Sequence, residues 1–258
     1  MMRQLVLLCA ALAVAGFGKD IYQPEPQGDL EVGTGVGYAQ SLGFYSANGT
    51  YTPYSDVDIP YTNTRYPQGF SPAAYGIPFK LKYGLGGGFD VKAEWDAAFT
   101  NKDAGDLAGM AEPVLGLKYA NSWGGFFTNL TLPYTTGDLS DGKNLPTVIE
   151  VGTLARERYH HFRFTGLFSY ENDFREDDLV HLSLQPEIIW RKGLDTFLDI
   201  DYYQDVHKNL SEFAMTPGIR KDISETRYFD VSAGFTMAGR NAPALWAVKT
   251  DWYWTFKT

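Results

Sequence analysis

The sequence predicts an all-β fold: a transmembrane, antiparallel, up-and-down β-barrel of about 12 strands, with long outer loops and short periplasmic turns. Three observations favour this fold. Apolar and polar residues alternate along most of the chain, and most alternating runs have 9 to 13 residues. The connections between these runs alternate between long and short. A secretory leader precedes the runs, so we expect the mature chain in the bacterial outer membrane.

Residues 1–18 have the pattern of a secretory signal peptide. Arg3 provides a positive start, and the apolar core 5–15 has 11 residues, too few to span a bilayer. Small residues follow as Ala-Val-Ala at 13–15 and Gly-Phe-Gly at 16–18. We therefore expect cleavage after residue 15 or after residue 18.

The composition restricts the class of protein. Hydrophobic residues make up 44% of the chain and aromatic residues 16%. After residue 18, however, no apolar run approaches the roughly 20 residues that a membrane helix needs. A closed barrel is the other structure that pairs every backbone polar group inside lipid. We expect residues 19–28 to form a periplasmic lead and residues 29–258 to form the barrel.

Charge and cysteine content exclude several partners. The formal net charge of −9 argues against nucleic acid, whose binding proteins usually carry a basic patch. The only cysteine, Cys9, lies in the leader, so a mature chain would have no thiol or disulfide. We expect no cofactor and no metal site.

The strands follow from period-2 alternation. In the run 89–99, Phe89 and Val91 alternate with Asp90 and Lys92, and a helix cannot place such charges on one face. Counting every such run predicts 12 strands, near 29–40, 73–84, 89–99, 112–120, 124–133, 146–156, 158–170, 179–190, 195–204, 211–220, 227–237 and 244–256. A tilted membrane strand needs about 9 to 11 residues, more than most strands of soluble proteins have.

The connections predict an orientation. The first, third and fifth connections are long, at 41–72, 100–111 and 134–145. The second, fourth and sixth are short, at 85–88, 121–123 and around Glu157. Later connections are moderate and continue the trend weakly. Transmembrane barrels have short periplasmic turns and longer outer loops. The chain is therefore expected to enter the barrel from the periplasmic side.

Charged and polar residues recur on one face of the predicted strands. A Lys or Arg that faces lipid at mid-bilayer would cost about 2–4 kcal/mol, so these residues should point into the lumen. They either pair across strands and stiffen the barrel, or set the selectivity of a pore. The candidates are Lys80, Lys82, Asp90, Lys92, Glu94, Asp96, Lys118, Arg163, His181, Glu187, Asp199, Asp201, Asp230, Lys249 and Asp251.

The long connection 41–72 is rich in aromatic residues. Such a loop could fold over the mouth of the barrel and gate it or bind apolar solutes; a surface cap is the alternative. The gating candidates are Tyr51, Tyr54, Tyr61, Tyr66 and Phe70.

Two polar pairs raise the hypothesis of a barrel hydrolase. His181 and Ser183 stand two residues apart, as a base and a nucleophile would on a strand face. Asp199 and Asp201, near Asp205 and His207, could activate a water molecule. Such spacings arise easily on any polar strand face, and the first pair is expected to face the lumen rather than lipid. We therefore expect no enzyme.

Four short motifs occur in order: Ile-Pro-Phe-Lys-Leu-Lys-Tyr-Gly-Leu at 77–85, Gly-Asp-Leu at 105–107, Gly-Leu-Lys-Tyr at 116–119 and Leu-Thr-Leu-Pro-Tyr-Thr-Thr-Gly-Asp at 130–138. Over roughly residues 75–256 this order resembles the transporter-like outer-membrane family labelled "MetA-pathway of phenol degradation". The chain departs from the family's Leu-Pro-Thr-Gly by inserting Tyr134 and Thr135.

The resemblance implies a channel for small, often hydrophobic or aromatic, compounds. Outer-membrane barrels commonly end on an aromatic residue that the barrel-assembly machinery reads, whereas here Lys257 and Thr258 follow Phe256. The expected partners are outer-membrane lipid, the assembly machinery and an unknown small solute. The leading functional hypothesis is passive passage of such solutes. A structural or adhesive barrel with a closed lumen is the alternative, and a barrel hydrolase is the remote one.

Overall fold

The computed structural model describes residues 24–54, 71–139, 145–175, 178–190 and 193–257. The predicted signal peptide lies outside these residues, as does the first part of the predicted lead. So does half of the aromatic connection between the first two predicted strands, residues 55–70. No helix in the described ranges is long and apolar enough to cross a membrane.

The described residues contain fourteen strands, of which twelve form the wall of the barrel. Two strands of three residues lie in loops, β2 (Tyr51–Pro53) beside β1 and β5 (Ala108–Met110) beside β4. Short 3-10 helices lie at Lys102–Ala104 and Gly137–Leu139. The wall strands are β1 (Leu30–Tyr45), β3 (Ala73–Gly86), β4 (Phe89–Thr100), β6 (Val114–Ala120), β7 (Gly124–Thr131), β8 (Val148–Tyr159), β9 (Phe162–Asn172), β10 (Asp178–Ile189), β11 (Leu194–Asp205), β12 (Leu210–Ser224), β13 (Arg227–Arg240) and β14 (Ala242–Phe256).

The sheet closes on itself. Each wall strand pairs antiparallel with its neighbours along the chain, and β14 pairs with β1 from Leu30↔Phe256 to Tyr45↔Ala242. Closure leaves the wall without a free edge, as a membrane requires. The predicted antiparallel barrel of 12 strands is confirmed.

Apolar side chains face outward and polar side chains face inward, the reverse of the arrangement in a soluble protein. Phe79, Leu81 and Leu182 are exposed on the outer face, whereas Asp90 and Glu187 are each only 2% exposed inside. The alternation therefore points apolar side chains outward, where lipid would cover them, and polar side chains inward.

The two ends of the barrel differ in their connections. At one end, here called the turn end, consecutive strands are joined by two to four residues, such as Gly87 and Gly88 between β3 and β4. At the other, the loop end, the first three connections are long and the last is the single residue Asn241. Asn241 has a φ of 49°, a left-handed conformation that Asn tolerates better than most residues.

One predicted turn is misplaced. The sequence placed it around Glu157, but β8 continues to Tyr159 and the turn consists of His160 and His161. The alternation does not mark this turn, because both histidines are polar and neither Gly nor Pro occurs there. His160 adopts the left-handed conformation, with a φ of 55°.

Aromatic side chains form contacts on the outer face near both ends. Toward the loop end, the ring of Tyr38 lies 4.9 Å from that of Tyr75 and 5.2 Å from that of Trp246. At the turn end, the ring of Tyr119 lies 4.9 Å from Phe89 and 5.3 Å from Phe126. These positions suit the aromatic girdles of membrane barrels.

Candidate functional site: the barrel lumen

The loop-end half of the lumen contains a cavity of about 450 Å³, here called the outer chamber. This volume lies within the range of small-molecule sites, about 300–1,000 Å³. Eight of the predicted lumen residues line it: Lys80, Lys92, Glu94, Asp96, His181, Asp199, Asp201 and Lys249.

The turn-end half is largely filled by side chains. Two cavities reach into it, of about 30 Å³ and about 70 Å³. The smaller is lined in part by Asp230 and Asp251, and the larger by Lys82, Asp90 and Lys118. A passage through this half would have to pass between ion pairs.

Arg220 joins three strands in the turn-end half. Its guanidinium donates from Nη1 to Glu187 Oε1 and from Nε to Asp230 Oδ1, both at 3.0 Å. Arg163 Nη1 lies 3.1 Å from the second oxygen of Glu187. The guanidinium also lies 5.3 Å from the ring centre of Phe197. Arg163 and Glu187, the remaining two sequence candidates of this half, are thus held in one network.

Sequence reasoning missed Arg220 because the predicted strand ended at that residue. The structure continues β12 to Ser224, so Arg220 lies well inside the strand. Its place on the inner face could have been found from the alternation Thr216, Gly218, Arg220, in which Pro217 and Ile219 point outward.

A second cluster lies beside the β1–β14 seam. Asp251 Oδ2 is 3.0 Å from Lys249 Nζ and 3.4 Å from Lys80 Nζ, and Lys80 also donates to the hydroxyl of Tyr253 at 3.1 Å. Lys80 lies on β3 and Asp251 on β14, with β1 between them. Gly33 of β1 provides the space, because a Cβ there would lie 2.7 Å from the Tyr253 ring.

The predicted lead contacts the turn end. Glu25 Oε1 lies 2.8 Å from Lys82 Nζ, and its backbone N–H donates to Asp90 Oδ2 at 3.3 Å. The backbone of Gly84 bonds to Gly28 and Asp29, and a Cβ on Gly84 would lie 2.0 Å from the carbonyl oxygen of Pro26. Lys118 completes this cluster, 3.2 Å from Asp90. Residues 25–29 are therefore fixed across one side of the turn-end mouth.

The outer chamber is acidic. Among the described residues, nine carboxylates line it against three lysines and one histidine. Sequence reasoning missed five of the carboxylates, Glu112, Asp138, Glu150, Glu171 and Glu212. Three of them lie close to strand ends, and Glu112 and Asp138 lie in the long loops, so the alternation did not single them out.

The hydrolase candidates are held in other contacts. His181 Nε2 lies 3.0 Å from Asp201 Oδ1, and its ring stacks on Tyr203 at 4.2 Å. In the described part of the chain no hydrogen bond links Ser183 to His181. His207 is exposed, and its Nε2 lies 2.6 Å from Asp178, away from the lumen pair Asp199 and Asp201.

Two of the five gating candidates fall within the described residues. Tyr54 is buried with its hydroxyl 2.9 Å from Ser41 Oγ, whereas Tyr51 is exposed and donates to the carbonyl of Leu42 at 3.3 Å. Neither side chain lines the outer chamber. Tyr61, Tyr66 and Phe70 lie outside the described residues, and a gating role for the loop stays a prediction.

No protein-family model and no curated protein matches this chain. The predicted family label therefore stays a prediction. Solved structures do match. The COG4313 outer membrane channel from Pseudomonas putida F1 has a TM-score of 0.70 at 14% identity, over 93% of this chain and 100% of that one.

Two further structures share the fold at lower similarity. The toluene transporter TbuX of Ralstonia pickettii has a TM-score of 0.51 at 10% identity, over 90% of each chain. The translocator domain of autotransporter NalP from Neisseria meningitidis has a TM-score of 0.53 at 9% identity, over 98% of this chain and 95% of that one. The likeness establishes the outer-membrane barrel fold, and channels and a translocator share it.

Proposed function

We propose that this chain is a passive channel of the bacterial outer membrane for small solutes, hydrophobic or aromatic compounds among them. The observation that carries the proposal is the outer chamber, about 450 Å³ of space inside a closed wall of 12 strands. Side chains nearly fill barrels of about 8 strands, and barrels of about 16 hold an aqueous channel. A 12-stranded lumen suits solutes of small cross-section.

The comparisons support a channel. The COG4313 protein is named as an outer membrane channel and TbuX as a toluene transporter. In this proposal the turn end faces the periplasm, the signal peptide directs export, and the barrel-assembly machinery inserts the chain. The fifteen predicted lumen residues then line or constrict the path, with the Arg220 network at the constriction.

A structural barrel with a closed lumen is the second candidate. The filled turn-end half favours it, because the cavities there measure only about 30 and 70 Å³. In that case the charged side chains would hold the wall rigid, and the loops would form the surface that the barrel exposes outside the cell.

Conductance separates the two candidates. The refolded full barrel is placed in planar bilayers, and solute uptake is followed by swelling of liposomes that contain it. A channel gives discrete current steps and swelling with small solutes. A folded barrel that is silent in both assays contradicts the channel and supports the closed structural barrel.

A hydrolase is the remote candidate, and the contacts of His181 and His207 do not favour it. Purified barrel is expected to release no product from phospholipid or peptide. Hydrolysis that Ser183→Ala or Asp199→Ala abolishes would overturn this expectation.

A further inference from the structure

We propose that the outer chamber selects small organic cations, in which an ammonium group is carried on an apolar body. This inference rests on the proposed channel function and names its class of solute. Its basis is one wall of the chamber formed by Glu112, Glu150 and Glu171, here called the acidic wall, together with the neighbouring amide of Asn129.

The acidic wall lacks a compensating cation among the described residues. Glu150 and Glu171 are direct partners across β8 and β9. Glu150 accepts a hydrogen bond of 2.6 Å from Asn129 Nδ2, a neutral donor. Glu112 Oε1 is buried and receives no hydrogen bond from any described residue. Adjacent like charges are unfavourable unless a cation lies between them.

Asn129 gives an independent indication of a missing donor. Its side chain is 5% exposed, and its Oδ1 has no hydrogen-bond donor within the described ranges. Nδ2 of the same amide is already used by Glu150. A buried acceptor without a donor costs about 1–3 kcal/mol. An ammonium N–H supplied by a ligand would provide the donor that this acceptor lacks.

The lysines that line the chamber are engaged with other carboxylates. Lys92 Nζ lies 3.1 Å from Glu94, and Lys80 and Lys249 both lie beside Asp251. These pairs belong to β4 and to the seam region, whereas the acidic wall is built from the loop before β6 and from β8 and β9. Charged side chains on one side of the chamber are thus paired with each other, whereas the acidic wall on the other side carries only negative charges.

Apolar groups from the loop end also line the chamber. Leu107, Leu139 and Leu145 line it from the second and third long loops at the loop end. These loops are bonded to each other: Met110 N–H donates to Thr136 Oγ1 at 3.1 Å, and Ala108 N–H donates to Asp138 Oδ2 at 3.2 Å. An aromatic or aliphatic body can lie under these leucines while its ammonium group meets the wall.

Two other kinds of ligand fit less well. A neutral hydrocarbon would leave the carboxylates without a counter-charge as it displaced water from them. A metal ion needs oxygen ligands converging on one point, and no such group of acidic or histidine side chains occurs in the described residues.

The test uses three probes of nearly equal shape and different charge: benzylammonium, benzyl alcohol and benzoate. Binding to the refolded full barrel in detergent is measured by calorimetry for wild type, Glu171→Gln and Glu150→Gln. Glu157→Gln is the matched control, an exposed glutamate at the opposite end of β8. Each variant is first checked for the wild-type unfolding temperature.

Benzylammonium is expected to bind tightest, and each wall substitution to weaken it about tenfold, the effect of one charge-assisted hydrogen bond. Glu157→Gln should bind like wild type. Equal affinity for benzyl alcohol, unchanged binding in both wall variants, or binding of Ca²⁺ alone would overturn the inference. Current recorded from the same preparations distinguishes failure of this inference from failure of the channel proposal. Conduction without benzylammonium binding would contradict only this inference. Binding without conduction or swelling would contradict only the proposed channel function.

Discussion

Arg220 is the residue on which the turn-end network depends. It is 3% exposed and neutralises Asp230, while sharing Glu187 with Arg163. A buried carboxylate that loses its only strong partner is far more costly than a missing surface pair. The charge of Asp230 is therefore balanced mainly by one guanidinium.

We expect Arg220→Met to lower the free energy of unfolding by about 3–5 kcal/mol, because Asp230 is left buried and charged. Urea titration of the barrel in lipid vesicles measures this loss. The double variant Arg220→Met with Asp230→Asn removes the stranded charge and should recover part of the stability. An equal loss in both variants would show that packing, not charge, is responsible.

The ionisation of Glu112 is expected to make ligand binding in the outer chamber depend on pH. Burial raises the pKa of Glu112 above its ordinary value of 4.5. A raised carboxyl pKa means that the charged form is disfavoured, so the stability that this group contributes falls as pH rises through the raised pKa. A bound ammonium reverses this, since it favours the charged form and its own pKa, like that of lysine, lies far higher.

The affinity for benzylammonium should therefore rise as pH increases from about 4 through the pKa of Glu112, while the affinity for benzyl alcohol stays level. Calorimetry across this range measures both. Glu112→Gln should reduce the slope. A slope unchanged in this variant would show that Glu112 does not set the pH dependence.

Predicted strands give the face of a residue but not its partner across the lumen. Gly33 and Gly35 leave space on the inner face of β1, where a Cβ on Gly33 would lie 2.7 Å from the Tyr253 ring and one on Gly35 would lie 2.3 Å from Asp251 Oδ1. That Lys80 meets Asp251 across β1 depends on the tilt of the wall, which sets which inner residues lie level with each other. Alternation along one strand contains no such information.

At the scale of elements, residues 25–29 close part of the turn-end mouth. Their backbone bonds to Gly84, and Glu25 pairs with Lys82. Burial raises the pKa of Glu25 while the nearby Lys82 acts against that shift. The segment thus forms a short strap held by the Glu25–Lys82 ion pair, by the Glu25 N–H bond to Asp90 and by backbone bonds.

We expect Glu25→Gln, and more strongly the deletion of residues 19–28, to raise the single-channel conductance, because less of the mouth is covered. Planar-bilayer recording measures the change. Glu225→Gln is a suitable control, since the Glu225 side chain is 92% exposed and lies 3.7 Å from the exposed Lys257, away from the strap. Lower or equal conductance after deletion would show that the strap does not restrict the path.

The elements that the sequence predicted well are the long ones. Twelve runs gave twelve wall strands, with ends mostly displaced by a few residues. The short strands β2 and β5 were missed, because three residues cannot display a period of two. β6 and β7 are shorter than predicted, since Pro113 and Pro133 lack the N–H that would continue the ladder.

At the scale of the whole molecule, the outer face must remain apolar over a continuous band. Leu182 lies near the middle of β10 and is 46% exposed on this face. Lipid rather than protein covers such a side chain, so the cost of replacing it with a charged residue depends on its depth in the membrane.

We expect Leu182→Arg to destabilise the barrel in vesicles by about 2–4 kcal/mol, and Gln204→Arg, near the loop end of β11, by about 0–1 kcal/mol. Chemical denaturation in lipid measures both. In detergent micelles, which adapt around a charge, the difference between the two variants should shrink. Equal losses in lipid would place Leu182 outside the hydrocarbon region.

The β1–β14 seam joins the first and the last wall strand, from Leu30↔Phe256 to Tyr45↔Ala242. Every other wall pairing links consecutive strands, so those hairpins can form locally, but the seam cannot form until the last strand is available. Its formation closes the largest loop in the molecule and raises the contact order. Until then two long edges stay open, and each is a template for pairing with another chain. We therefore expect the slow, aggregation-sensitive step of folding to be the pairing of β1 with β14 at this seam.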